Sequence, residues 1–410
     1  MISARQVALR VFLPFAASVL LSYFFRSVNA VLESYLRADV PGVDRTAIGV
    51  ITGAFFLAVA TFQLPLGILL DRFGPRRVQA TLMLLAAAGC VVFALADGVV
   101  ALFLGRALVG LGMAAGLMAA LNAFALWYSS DDLPAVNGWA MAVGSVGTIL
   151  ATLPVQWMLA YVDWRELFFA LSIITLLLAS TIFMVVPERS GHSLASSSGA
   201  STTGGLAQIW RSRVYWRLMP VFVVGQGTIV AVNTLWIAPW LLEVRGFSED
   251  MKSAHLLLMA ATQLVGLSML GRCVRFLRGF GVTPVALAAS SMLLGIGVLT
   301  VIALNPAFVP AWLLIMLLST GASGSTLFFA AITQKFPVAL SGRLVTSLNM
   351  SVFAMVFAVQ SFIGFLVNRL IEQAGFEAAT AYGVTFLILS VVQIGPFLLF
   401  LLLRTAEETA

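Results

Sequence analysis

Long apolar stretches alternate with short polar turns along the whole chain. Each stretch is long enough to cross the ~30 Å hydrocarbon core of a bilayer as a helix. Twelve such spans can be marked, near 9–35, 47–70, 78–97, 99–127, 135–161, 166–186, 216–241, 251–272, 283–304, 309–333, 343–367 and 380–403. Most connections are short and hold turn or charged residues, such as Pro41-Gly42 and Asp163-Trp164-Arg165. The longest, 187–215, has a Ser/Gly/Thr-rich middle that cannot bury an apolar face. The pattern predicts an all-α membrane protein of 12 transmembrane helices in two six-helix bundles. The bundles cover 1–186 and 216–410, with the linker 187–215 between them.

Composition sharpens this reading. Of 410 residues, 61% are hydrophobic and 10% charged, where a soluble domain carries ~25% charge. The net charge of +6 does not point to nucleic acid, because the basic residues are spread among short loops rather than gathered on one face. Arg5 and Arg10 precede the first apolar run as in a signal peptide, but that run continues through Tyr23 and is too long for a signal core. Cys90 lies in mid-span and Cys273 near a helix end, so the two are not expected to pair.

Lysine and arginine set the orientation. With the N-terminus inside, the inner side holds fifteen of them, from Arg5 and Arg10 through Arg76, Arg77 and Arg189 to Arg404, and the outer side six. Both termini are therefore expected in the cytoplasm, with Arg26 and Arg106 left inside spans. A shift of 204 residues lays Asn29 on Asn233, Gly67 on Gly271 and Gly138 on Gly342, so the two halves repeat weakly. Internal repeats of this kind are usual in secondary transporters.

The stretch GILLDRFGPRR, Gly67 to Arg77, follows the second span. Its Gly67, Asp71, Arg72, Gly74, Arg76 and Arg77 match the pattern G-x-x-x-D-R-x-G-x-R/K-R/K. Arg106 and Gly110 meet a second pattern, R-x-x-x-G, in the fourth span. On these motifs the chain, over residues 9–404, resembles the major facilitator superfamily. The corresponding stretch after span 8, GRCVRFLRGFG, keeps Gly271 but lacks the aspartate. The glycine-rich antiporter stretch of span 5 is replaced by GSVGTILATLP, with Gly144, Gly147 and Pro154. The resemblance implies two pseudo-symmetric bundles and a cavity lined by spans 1, 4, 7 and 10. It also implies a gating role for Gly67, Asp71, Arg72, Gly74 and Arg76. Asp71 would close the inner side against the N-terminus of span 11, near Ser341-Gly342-Arg343, whose free N–H groups suit a carboxylate. Arg72 or Arg76 would be its further partners. The alternative is a solvated loop whose arginines only signal topology.

Polar residues inside the membrane are the candidate chemistry. Arg26, Asn29 and Glu33 share one face of span 1 by their spacing. At ~1.5 Å per residue, Arg26 lies ~25 Å up its span and Arg106 ~10 Å down its own, at similar depth. Two guanidiniums with one nearby carboxylate leave positive charge, which suits an anionic substrate such as a carboxylate. The alternative is that Glu33 neutralises one arginine and the other snorkels outward. Asn122 in span 4 and Gln226, Asn233 and Trp236 in span 7 complete the expected substrate-binding set. Glu33, near the outer edge of its span, and His255, whose imidazole titrates near neutral pH, are the candidates for carrying a coupling proton. Buried amides also serve as helix–helix glue, and Gly112, Gly116, Gly321 and Gly324 are read as close-packing positions. Trp127, Trp164, Trp210 and Trp240 are expected in the interfacial belt. His255 and Met259, one turn apart, could hold a soft cation. They resemble part of a copper-importer pattern whose span-7 methionine pair is missing here.

No nucleotide-binding loop, zinc spacing or activated nucleophile is present, so neither an enzyme nor an ATP-driven pump is expected. The expected function is secondary transport of a small solute, an organic anion such as a carboxylate, by alternating access with proton coupling. A multi-pass protein of the cell inner membrane, working as a monomer without cofactor or metal, is expected. Its partners would be the small-molecule substrate and the lipid bilayer. The competing readings are a metabolite or drug efflux carrier, a copper importer, and a membrane sensor that does not transport.

Overall fold

The structure, a computed structural model, describes residues 3–188 and 208–403. The Ser/Gly/Thr-rich middle of the expected linker, with Arg189 and Arg404, lies outside the described residues. The chain divides into two compact units, Met1–Ser197 and Ser198–Ala410. Among the described residues the regular structure is helical, and eleven helices are long and apolar enough to cross a membrane.

One of the eleven, Arg45–Ala94, has 50 residues. At 1.5 Å per residue it would run ~75 Å, more than twice a bilayer core. It is two spans, and Gly74 divides them. Gly74 adopts φ 76° and ψ 161°, a backbone conformation that L side chains avoid, and Pro75 follows it. The proline bars Gly74 from helical geometry, and the missing Cβ lets the chain turn there. The first unit therefore holds α1 (4–39), α2 (45–73), α3 (75–94), α4 (Val99–Trp127), α5 (Leu133–Leu159) and α6 (Trp164–Val185). The second holds α7 (Arg213–Val244), α8 (Glu249–Arg278), α9 (Pro284–Leu304), α10 (Ala311–Gln334), α11 (Val338–Glu372) and α12 (Ala378–Leu402). Several helices outrun the apolar runs that predict them, because polar caps extend the ends. Asp44 accepts from the Ala47 N–H at 2.7 Å, and Asp163 and Glu166 form a capping box at the start of α6.

Inside a membrane helices gain nothing by hiding oily surface from one another, so association depends on close approach and interhelical hydrogen bonds. Glycines provide the approach in the first unit. A Cβ on Gly105 of α4 would lie 2.7 Å from the Phe93 nitrogen of α3, and one on Gly110 would lie 2.7 Å from the Phe55 Cα of α2. Gly112 meets Ala86, and Gly116 meets Ser22 of α1, whose hydroxyl donates to the Met113 carbonyl at 3.3 Å. Ser172 of α6 donates to the Ala87 carbonyl of α3 at 2.8 Å, beside the Phe93–Phe168 ring pair. The second unit repeats these pairings six helices on. Gly321 of α10 packs on the Ser291 carbonyl of α9, Gly227 of α7 on Met355 of α11, and Gly383 of α12 on the Ala303 carbonyl of α9. The pairs α3/α4, α1/α5 and α3/α6 thus recur as α9/α10, α7/α11 and α9/α12. This internal correspondence is the structural form of the weak 204-residue repeat.

Two tryptophans depart from the expected interfacial belt. Trp164 is buried at the start of α6, edge-to-face with Phe93, and its indole N–H donates to Asp39 at 3.1 Å. Trp240 is buried with the Arg245 guanidinium over its ring. Trp164 belongs to a clasp at one end of the first unit. There Arg165 hydrogen-bonds Asp39 and reaches the Ala96 carbonyl, joining the end of α1 to the α3–α4 turn and α6. The Arg165 hydrogen bond holds the Asp39 carboxyl below its usual range. A depressed folded-state pKa gives stability that is present above the unfolded value of ~3.9 and is lost as pH falls through the folded value. Both side chains of the clasp are a third or more exposed. Asp39→Asn should therefore lower stability at neutral pH by no more than about 1 kcal/mol. The difference from wild type should shrink as the pH is lowered below ~4, which melting curves across pH 3–7 would measure.

Candidate functional site

The first unit gathers its polar groups around the middle of α1, from Phe25 to Glu33. The helix is continuous here: Val28 keeps helical dihedrals, φ −59° and ψ −28°, and its N–H donates to the Phe24 carbonyl at 3.0 Å. Arg106 of α4 reaches this point and donates from Nη2 to the Phe25 carbonyl at 3.0 Å. Its guanidinium also lies 5.3 Å from the centre of the Phe55 ring of α2. Arg106 is wholly buried at 0% exposure, and its Nε and Nη1 have no hydrogen-bond partner among the described residues. No described carboxylate pairs with it. The arrangement is a charge deep in the bundle with two donors left over, whose cost is several kcal/mol unless something neutralises it.

Arg26 follows Phe25 directly, so the structure brings both intramembrane arginines to one stretch of α1. Arg26 is half-buried, with its guanidinium 4.8 Å from the Tyr23 ring centre. Asn29 is buried and donates to the Thr52 hydroxyl of α2 at 3.0 Å, while its own carbonyl oxygen has no described partner. Glu33 is buried, and Arg37 donates to it at 2.8 Å. The sequence left open which intramembrane arginine, Arg26 or Arg106, Glu33 would neutralise, and Arg37 falls among its six outer-side charges. The α1 helix continues to Asp39, which places Arg37 one turn beyond Glu33. The four-residue spacing was the signal available in the sequence. Asn122 is exposed and spends its amide on the Met118 carbonyl of its own helix.

In the second unit the polar groups of α7 are held by α10 and α11. The Ser325 hydroxyl donates to Gln226 at 2.5 Å, and the Gln360 amide donates to Thr234 at 3.0 Å. Trp236 is buried, and its indole N–H donates to the Gln360 carbonyl. That packs it into the core of the unit. Asn233 is buried with its carbonyl oxygen unpartnered among the described residues. Two π-helical turns, Val232–Trp236 and Trp240–Val244, flank Pro239. Proline cannot donate to Leu235 and crowds its carbonyl, which widens the backbone around Asn233. Pro239 was the sequence signal for that irregularity. His255 uses Nδ1 against the Met251 carbonyl at 2.7 Å and stacks on Phe247. No group of three or more His, Cys, Asp or Glu side chains able to hold a metal occurs among the described residues.

Two further buried cations lie near span ends, Arg217 among the fifteen inner-side charges of the sequence and Lys252 among the six outer ones. Lys252 of α8 is fully buried and pairs with Glu249, and Arg217 of α7 is buried with Nε donating to the Phe400 carbonyl at 3.2 Å.

The stretch Gly67–Arg77 spans the end of α2 and the start of α3. Gly67 faces open space, and a Cβ there would meet nothing. Asp71 is exposed and makes no hydrogen bond or ion pair among the described residues. The arginines go elsewhere than to Asp71. Arg72 stacks on Phe73, while Arg76 donates from Nε and Nη2 to the Phe183 carbonyl at the end of α6. Arg77 pairs with Glu188 at 2.5 Å, and Arg76 lies 3.7 Å from the same carboxylate. A helix C-terminus with free carbonyls attracts such cations, and α6 supplies it here.

The sequence profile described as Major Facilitator Superfamily matches residues 15–359. The chain belongs to that superfamily. Its described residues hold eleven helices long and apolar enough to cross a membrane, and the curated relatives it matches are named as transporters. A probable sulfoacetate transporter of Cupriavidus necator (strain H16) is 26% identical over 56% of this chain and 56% of its own length. A probable L-galactonate transporter of Escherichia coli (strain K12) is 26% identical over 62% of this chain and 57% of its own. The chain spans about half the length of the curated relatives it matches. Among solved structures, a bacterial homolog to the human lysosomal transporter Spinster superimposes with a TM-score of 0.78 at 15% identity. That match covers 98% of this chain and 97% of the other, and it shows the shared fold.

Proposed function

We propose that this transporter moves a small organic anion across a bacterial inner membrane, as a monomer, by exposing its site to the two sides in turn. The observation that carries the reading is Arg106, a fully buried guanidinium with two donors unpartnered among the described residues. A carboxylate or sulfonate would supply both the missing negative charge and the missing acceptors. The Arg106–Phe25 hydrogen bond is the contact an entering anion would displace, and Arg26 and Asn29 lie on the same stretch of α1. The relatives named for sulfoacetate and L-galactonate support the anion class, since both compounds are organic anions.

Coupling to protons belongs to the same proposal. Glu33 is the buried carboxylate of α1, and Arg37 holds it on the helix that also carries Arg26. Protonation of Glu33 would release Arg37 and change the charge beside the arginines. Uptake into proteoliposomes tests both parts. Sulfoacetate or L-galactonate should accumulate, a neutral sugar of similar size should not, and an inward proton gradient should drive the accumulation. Glu33→Gln should keep exchange of anion for anion but lose the gradient response. Equal uptake of the neutral sugar would overturn the anion reading, and a gradient response intact in Glu33→Gln would remove Glu33 from coupling.

A further inference from the structure

The first described residues of the second unit form a compact cationic corner ahead of α7. The sequence is Gln208-Ile-Trp-Arg-Ser-Arg-Val-Tyr-Trp-Arg217. A tight turn brings the Ser212 N–H to the Ile209 carbonyl at 3.0 Å, and α7 begins at Arg213. The corner is pinned from the protein side. Ile209 and Tyr215 are buried, and the Tyr215 hydroxyl meets the Ser347 hydroxyl of α11 at 2.9 Å. Both indoles spend their N–H groups inward. Trp216 donates to the Trp210 carbonyl at 2.6 Å, and Trp210 donates to Ser347 at 3.4 Å.

What faces outward is a specific mixture. Trp210 and Trp216 are 50% and 49% exposed, and with their N–H groups satisfied the exposed part is ring carbon. Arg211 and Arg213 are exposed between them and make no hydrogen bond or ion pair among the described residues. Apolar ring faces want hydrocarbon, while free guanidiniums want phosphate oxygens. A phospholipid at the membrane surface offers both within one molecule, and a dissolved anion offers only the second. The corner stands where α7 enters the bilayer, on the membrane face that also receives the basic end of α8, with Arg272, Arg275 and Arg278.

We infer that Trp210, Arg211, Arg213 and Trp216 form a binding site for the headgroup of an anionic phospholipid. The inference does not depend on the identity of the transported solute. The indoles rest on the glycerol and upper acyl carbons, and the two guanidiniums take the phosphate and the additional negative charge. Ser347, itself bonded to Tyr215, holds the Trp210 indole and the Trp210 carbonyl holds that of Trp216, so the site is built before lipid arrives.

Native mass spectrometry of the full-length protein, released from bilayers of mixed phosphatidylglycerol and phosphatidylethanolamine, tests this. Wild type should retain phosphatidylglycerol over phosphatidylethanolamine, and Arg211→Gln/Arg213→Gln should lower that preference about 25-fold, roughly fivefold per arginine. The control is Arg272→Gln/Arg275→Gln, which removes the same charge from exposed positions on the same membrane face and should leave most of the preference intact. Retention of both lipids alike by wild type would overturn the proposal. So would an equal loss in the control, because the effect would then be net charge and not this corner. Trp210→Ala/Trp216→Ala should weaken retention of both lipids, and unchanged retention would remove the indoles from the site.

Discussion

Replacing Arg106 with methionine should weaken anion binding by ~100-fold or more while leaving the substrate-free protein about as heat-stable as wild type. The two halves of this result have separate causes. In the empty protein the guanidinium is fully enclosed, and its Nε and Nη1 are unpartnered among the described residues. Methionine removes a desolvated charge whose effective penalty is several kcal/mol. It gives up the bond to the Phe25 carbonyl, worth ~1.5–3 kcal/mol for a charged donor, and the contact with the Phe55 ring. Those terms nearly offset. With anion present the balance should change, because the proposed ligand would satisfy the donors. Losing two charge-assisted hydrogen bonds should weaken binding by ~100-fold or more. Arg106→Lys keeps the charge but offers a compact ammonium in place of a planar fork, so an intermediate loss of about tenfold is expected. Thermal-shift titration with sulfoacetate, repeated in both variants, measures these outcomes together. An anion-dependent shift preserved in Arg106→Met would end the anion proposal. A substrate-free melting temperature many degrees below wild type would mean that Arg106 is chiefly a pin between α1 and α4.

The apolar pattern made the fold legible, because only a helix can satisfy its backbone inside lipid without a partner strand. Asp71 and Arg106 were legible as motif positions for a related reason, since charge is scarce in such a chain. What pattern could not supply was the choice of partner. Glu33 has Arg26 seven residues before it and Arg37 four residues after it, and the structure pairs it with Arg37. The choice turned on where α1 ends, and an apolar run stops before a helix does when its last turn is charged. Arg76 illustrates the same limit over distance. Its partner, the Phe183 carbonyl, lies 107 residues away, and a backbone oxygen leaves no mark in a sequence. Trp164 and Trp240 were placed at the interface because they end spans, yet Phe93 and Arg245 cover them. The irregular backbone of α7 around Asn233 was signalled by Pro239, but the partner of Trp236, the Gln360 carbonyl of α11, left no mark in the sequence.

The largest loss of folded protein is expected from Gly147→Val, and a second glycine of α5 provides its control. A Cβ at position 147 would collide with the Leu20 carbonyl oxygen of α1 and lie 2.9 Å from the carbonyl carbon. The obstacle is backbone, so no rotamer change relieves it, and α1 and α5 must separate. Overpacking a well-filled site costs ~1–3 kcal/mol, and more when a helix has to move. Nearby, Gly144 packs on Val19 and Tyr23, so displacement at 147 opens that contact as well. Gly138 lies in the same helix, and a Cβ there would meet nothing within 4 Å. Gly138→Ala should be neutral or stabilising by up to ~1 kcal/mol, since alanine favours the helix. Gly147→Ala should destabilise despite the same gain in helix propensity, and Gly147→Val should leave little monodisperse protein on size exclusion after extraction. The contrast also bears on function, because Leu20 lies on the same helix as Phe25 and Arg26. Any Gly147→Ala protein that does fold presents the Phe25 carbonyl to Arg106 from a shifted α1. Its anion affinity should therefore fall even though position 147 touches neither arginine. Normal yield and normal affinity in Gly147→Ala would show that α1 and α5 are not in backbone contact at this crossing.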